Sequence, residues 1–103
     1  MATKQYAGKA VEVTDDGYLI NSTDWSPEVA ADIAREEEIE LTPAHHDLIT
    51  FIRDKVAKGE TLTIRAIGKS GICDIKGFYK LFPGAPLKKA SRIAGIKKPQ
   101  SCV

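Results

Sequence analysis

At 103 residues the chain fits one domain and is long enough to bury a real core. Its 43% apolar and 28% charged content is that of an ordinary globular protein. No run approaches the ~18 consecutive apolar residues of a membrane span. The polar N-terminus lacks the form of a signal peptide, and two cysteines, Cys73 and Cys102, are too few for a disulfide framework. Together these point to a reducing cytoplasm. The net charge of +1 hides an asymmetry: residues 1–64 hold 13 acids against 6 Lys/Arg, whereas 65–103 hold 9 Lys/Arg against Asp74 alone. The C-terminal third is therefore expected to meet something acidic, a protein or a nucleic acid.

In chain order, Lys9 to Val13 alternates charged and apolar residues, and Tyr18-Leu19-Ile20 is a second apolar run. Asp15-Asp16-Gly17 between them is a turn signal, so the two runs predict a small hairpin. Ser26-Pro27 opens a helix, with Ser26 as cap, Pro27 in the first position, and Val29, Ala30, Ile33 and Ala34 on one apolar face. The acidic run Glu36-Glu37-Glu38 opposes the helix dipole, which places the helix end near it and reads as a solvated terminus.

Thr42-Pro43 repeats the start signal. Leu48, Ile49, Ile52 and Val56 give a helical stripe that His45 extends backward and Lys58-Gly59 closes. A short third helix is predicted from Leu62 or Thr63 to Lys69. Asp74 caps a fourth, carrying Ile75, Phe78, Tyr79, Leu81 and Phe82. After the rigid Phe82-Pro83-Gly84-Ala85-Pro86 corner, a fifth runs from Pro86 to Ala94 with Leu87, Ala90, Ile93 and Ala94 inward. The expected architecture is a mostly helical single domain of about five helices, with a helix-turn-helix-like core and a small N-terminal β-hairpin. Residues 1–95 form the globular part and 96–103 a mobile C-terminal arm.

The arm is the prime candidate site. Gly95 stops the fifth helix, Pro99 cannot continue one, and Cys102 sits one residue from the end of a segment without periodicity. Exposed thiols are a liability in a soluble protein, so a thiol kept at such a tip is expected to have a use, as a mobile nucleophile presented to sites in other proteins. Lys97 and Lys98 favour the nucleophilic thiolate, while the terminal carboxylate opposes it. Cys73, flanked by Ile72 and Ile75, reads as a packed, inert thiol. The chain after Gly95 extends to ~25 Å, so pairing of Cys73 with Cys102 under oxidation stays open on reach. Adjacent His45 and His46 point about 100° apart on a helix, a poor metal pair, so no metal or other cofactor is expected. The segments 43–57 and 62–69, with Arg65 and Lys69 one turn apart, also leave open a helix-turn-helix nucleic-acid-binding domain. Direct nucleic-acid binding needs more basic side chains than this second helix offers.

The segment from Leu81-Phe82-Pro83 through Lys88-Lys89-Ala90-Ser91-Arg92-Ile93-Ala94-Gly95 to Pro99-Gln100-Ser101-Cys102-Val103 closely resembles the C-terminus of the DsrC/TusE family. Asp16-Gly17-Tyr18-Leu19, Trp25-Ser26, Leu41-Thr42-Pro43-Ala44-His45, Arg53-Asp54 and Ile64-Arg65 also look like family positions, so the resemblance covers nearly the whole chain. It implies an α+β, largely helical fold with a mobile C-terminal arm. It also implies that Cys102 carries persulfide sulfur between partner enzymes, a sulfurtransferase-type carrier without stand-alone turnover. Two-cysteine members work with dissimilatory sulfite reductase, and Ser91 stands at the position of their second cysteine. Single-cysteine members resemble TusE, which passes sulfur toward 2-thiouridine in tRNA. The residues 70–77 are shorter than the usual family stretch, and His46 stands where many members have an aromatic residue.

The partners this implies are a sulfur-donor complex of the TusBCD or DsrEFH type and a thiouridylase acceptor. A DsrC-type role as partner of a sulfite reductase is the alternative. No membrane is involved, and a monomer entering hetero-complexes is expected. Lys88, Lys89, Arg92, Lys97 and Lys98 are expected to steer docking onto an acidic rim, with Arg65 and Lys80 helping at the interface.

Overall fold

Among the described residues two strands come first, then a single 3-10 turn (Ser22–Asp24) and five α-helices. In the computed structural model, which describes residues 2–60 and 62–96, β1 (Ala2–Tyr6) pairs antiparallel with β2 (Lys9–Val13), setting Tyr6 opposite Lys9 and Ala2 opposite Val13. The connection is the two-residue turn Ala7-Gly8, with φ of 53° and 78°, the left-handed pair that so short a hairpin requires. Ala7 carries a Cβ into that region at some cost. Its N–H donates to the Asp32 carboxylate at 2.7 Å, which ties the turn to the first helix.

This hairpin differs from the expected one. Lys9–Val13 is a strand, but its partner is the preceding segment. Tyr18-Leu19-Ile20 contributes only a single bridge, Val13 to Leu19, across the Asp15-Asp16-Gly17 turn. The physical reason is visible in β1: only Tyr6 is buried, so the strand lacks an apolar alternation to announce it, and Ala7-Gly8 is a weak turn signal.

The helices follow their caps. In α1 (Pro27–Glu36) Ser26 Oγ accepts the Val29 N–H, and the buried face is Val29, Ala30, Ile33 and Ala34. It ends in a Schellman arrangement: the Glu38 N–H reaches Arg35 O, the Ile39 N–H reaches Ala34 O, and Glu38 has φ 59°. In α2 (Pro43–Ala57) the Thr42 N–H donates to His45 Nδ1 at 3.0 Å. The proton of that ring therefore sits on Nε2 and is given to Leu81 O at 2.7 Å. His45 is a core residue, packed edge-on against Phe82 with ring centroids 5.0 Å apart. Thr63 Oγ1 caps α3 (Ile64–Gly68) through the Ala66 N–H, and Asp74 Oδ1 caps α4 (Ile75–Leu81) through the Gly77 N–H. The last helix, α5 (Pro86–Ile93), buries Leu87, Ala90, Ser91 and Ile93.

Leu48, Ile52, Ile67, Phe78, Phe82 and Leu87 fill the centre, all fully buried. Val56, expected on the apolar stripe of α2, faces solvent at its last turn, and on α4 the apolar Ile75 and Tyr79 are exposed as well. A seven-residue helix has one narrow buried side, and in α4 Phe78 takes it.

Candidate functional site

The best-defined polar construction among the described residues lies where α5 stops. Ala94 caps the helix and Gly95 turns it left-handed at φ 71°. The Gly95 N–H returns to Arg92 O and the Ile96 N–H to Ser91 O, both at 3.2 Å, and Ile96 is buried. Two carbonyls that the helix leaves open are taken by side chains from elsewhere. Trp25 Nε1–H donates to Ile93 O at 2.8 Å, and Arg53 Nη1 donates to Ala94 O at 2.7 Å. The Arg53 guanidinium lies 4.2 Å from the centroid of the Trp25 ring, a stacked cation–π pair. Burial pulls Arg53 down from the ordinary arginine value.

Gly95 is required here twice over. Its φ favours glycine, and a Cβ on it would lie 2.4 Å from Trp25 Cδ1. A loop residue, a helix-α2 residue and the end of α5 thus grip residues 93–95 together. That grip fixes the point from which residue 97 onward begins.

Cys102, Lys97 and Lys98 lie outside the described residues. Arg65 and Lys80 are exposed, while Lys88 and Lys89 are half-buried on α5. Arg92 departs from the role expected of it. Its guanidinium turns into the fold, with a side chain only 12% exposed, and bonds Glu36, Glu37 and Gly17 O. Burial alone would lower Arg92, but the hydrogen bonds to the two glutamates outweigh it and hold the cation up. The first two residues of the acidic run are therefore ion-paired to Arg92, with Glu36 still exposed and Glu37 half-buried. Glu36 also accepts from Tyr6 Oη and Lys4 Nζ, both at 2.9 Å. This cluster joins hairpin, α1 and α5.

Cys73 is half-buried against the core, and burial, helped by the Asp74 charge, pushes its thiol up, away from thiolate character. Ser91 is fully buried, and its hydroxyl oxygen has no hydrogen-bond partner among the described residues. No cluster of metal-ligating side chains forms among the described residues. None of the helices there is long and apolar enough to cross a membrane.

The chain matches, over residues 5–103, the family described as DsrC like protein. It belongs to the DsrC-like family. Among its relatives is the gamma subunit of the dissimilatory-type sulfite reductase of Nitratidesulfovibrio vulgaris, 37% identical over 105 residues and covering 100% of both chains. The sulfurtransferase TusE of Escherichia coli is 35% identical over 107 residues, spanning 95% of this chain and 97% of that one. The solution structure of Allochromatium vinosum DsrC is 37% identical and matches with a TM-score of 0.83, over 98% of this chain and 97% of that one. The crystal structure of the oxidized gamma-subunit of the dissimilatory sulfite reductase from Archaeoglobus fulgidus gives 0.81 at 32% identity, over 99% and 100%.

The DsrC-like fold is the one expected from the sequence, five helices and an antiparallel hairpin. Trp25 and Arg53 were legible as family-like positions but not as a pair. They are 28 residues apart in the sequence, and neither belongs to an apolar periodicity that could have joined them.

Proposed function

We propose that this DsrC-like chain is a sulfur carrier whose working atom is Sγ of Cys102. The Cys102 thiolate attacks the outer sulfur of a donor persulfide. A new S–S bond forms on Cys102, the donor S–S bond breaks, and the inner donor sulfur leaves as a thiolate. The outer sulfur keeps its proton, so the exchange is redox-neutral. An acceptor thiolate then removes that sulfur in the same way. The observation that carries this reading is the family match running through residue 103, which takes in the Pro99-Gln100-Ser101-Cys102-Val103 segment. The grip on residues 93–95 supports it. Cys102 lies six residues beyond Ile96 in the sequence.

With Ser91 in place of a second thiol, the chemistry is that of a single-cysteine carrier, as in TusE. The destination we favour is a thiouridylase acting on tRNA, with a TusBCD- or DsrEFH-type complex as donor. A second reading, partnership with a sulfite reductase, is favoured by the full-length similarity to a gamma subunit of that enzyme. Intact mass after exposure to a persulfide donor tests the carrier. A gain of about 32 Da is expected in the parent and in Cys73→Ser, and is lost in Cys102→Ser. A gain that survives Cys102→Ser contradicts the assignment.

A further inference from the structure

Among the described residues the exposed large hydrophobic side chains are Val56, Ile75 and Tyr79, at 37%, 47% and 41% exposure. Two of them, Ile75 and Tyr79, stand one turn apart on α4 and share a face. Lys76 and Lys80 run alongside, and α3 adds Arg65 and Lys69, also one turn apart and exposed. The two helices close up where Ile75 meets Gly68, at which a Cβ would lie 2.8 Å from Ile75 Cγ1. Between them is a shallow cleft of about 380 Å³ lined in part by Arg65, Lys69, Ile75 and Lys76.

The cations of this face form no close ion pair among the described residues. Among the described residues, Lys4, Arg35, Lys55, Lys58 and Arg92 each pair with a carboxylate. Arg65, Lys69, Lys76 and Lys80 have no such partner there. Asp74 also lines the cleft; its carboxylate accepts the Gly77 N–H at the start of α4 and offsets one of the four positive charges, leaving a net excess of cations. Four cations thus frame two apolar side chains left in water. Covering them with an acidic, partly apolar surface would relieve mutual repulsion and bury the apolar pair in one step.

We propose that the α3–α4 face is a docking surface for a protein partner that presents an acidic rim around an apolar anchor, with the anchor seated on Ile75 and Tyr79. A protein suits the face better than a nucleic acid. The aliphatic Ile75 offers nothing to a phosphate backbone, and α3, at five residues, is short for a helix that reads a groove. The proposal rests on the sulfur-carrier reading only in the choice of partner for its test.

Binding is measured calorimetrically between the Cys102→Ser chain, which passes no sulfur, and a purified donor complex of the TusBCD type. Docking is thereby judged apart from transfer. Lys76→Glu, Lys80→Glu and Tyr79→Ser, each made in that background, are expected to weaken binding at least about tenfold. The two charge reversals should lose most of their effect when salt is raised from about 0.05 M to 0.5 M. Lys9→Glu, the same charge change on the exposed hairpin, should stay within twofold. If the Cys102→Ser chain does not bind this complex, a sulfite reductase takes its place in the same measurement; no binding to either, or losses below twofold in all three variants, overturns the proposal. So does a set of variants that release a short nucleic-acid duplex while still binding the complex. All three side chains are exposed, and melting temperatures confirm folding; should Tyr79→Ser melt early, the lysine variants decide.

Discussion

Gly95 is the position where a single methyl group does most damage to the candidate site. Alanine there meets both an unfavourable φ and the face of Trp25. Gly95→Ala should therefore cost about 2–4 kcal/mol in urea unfolding. Glu38 makes the opposite case. It holds a left-handed φ of 59° at a helix end where glycine is favoured, so Glu38→Gly should stabilise by about 1 kcal/mol in the same assay. Glu36 adds a pH dependence. Burial alone would raise its carboxyl, but hydrogen bonds from Lys4, Tyr6 and Arg92 together hold it below the ordinary value of 4.5. A depressed folded value means that its contribution is complete above the ordinary value and is lost as the pH falls through the folded one. In Arg92→Gln one donor is gone and the folded value moves back toward the ordinary one. Urea midpoints taken from about pH 7 down to pH 3 should then fall less steeply in the variant than in the parent.

At the scale of elements, what could be read in advance was what is local. Ser26, Thr42 and Asp74 each announce a helix start because a cap acts within three residues, and those helices begin there; Thr63, read only as a possible first residue of the third helix, is its cap. The hairpin was half legible. β2 alternates, but its choice of β1 rests on the Ala7–Asp32 contact and the Tyr6 contacts to Glu36, which no local pattern records. The same holds for Arg92. Its basic neighbours suggested a docking charge, whereas its partners lie 55 and 56 residues away and are met only after folding. Ile75 and Tyr79 were legible as apolar residues of the fourth helix but their face was not, and the brevity of α4 turns them outward. The cap of that helix is testable by itself. Asp74→Ala should cost about 1 kcal/mol.

At the scale of the molecule, the chain divides its labour. The acidic N-terminal part supplies the carboxylates that pair with cations, while the basic C-terminal part keeps unpaired cations on the surface formed by α3 and α4. Trp25 and Arg53 secure the end of the last helix, and the sequence places a thiol a few residues further on. The central claim is that this thiol receives sulfur and passes it on. The most direct measurement is a chase: load the chain with radiolabelled persulfide sulfur, locate the label by peptide mapping, then add a purified thiouridylase-type acceptor and follow the label with time. The account predicts that the label maps to the peptide containing Cys102 and moves to the acceptor on mixing. Label found on Cys73, or label that stays on the chain when both acceptors, thiouridylase and sulfite reductase, have been tried, would contradict it.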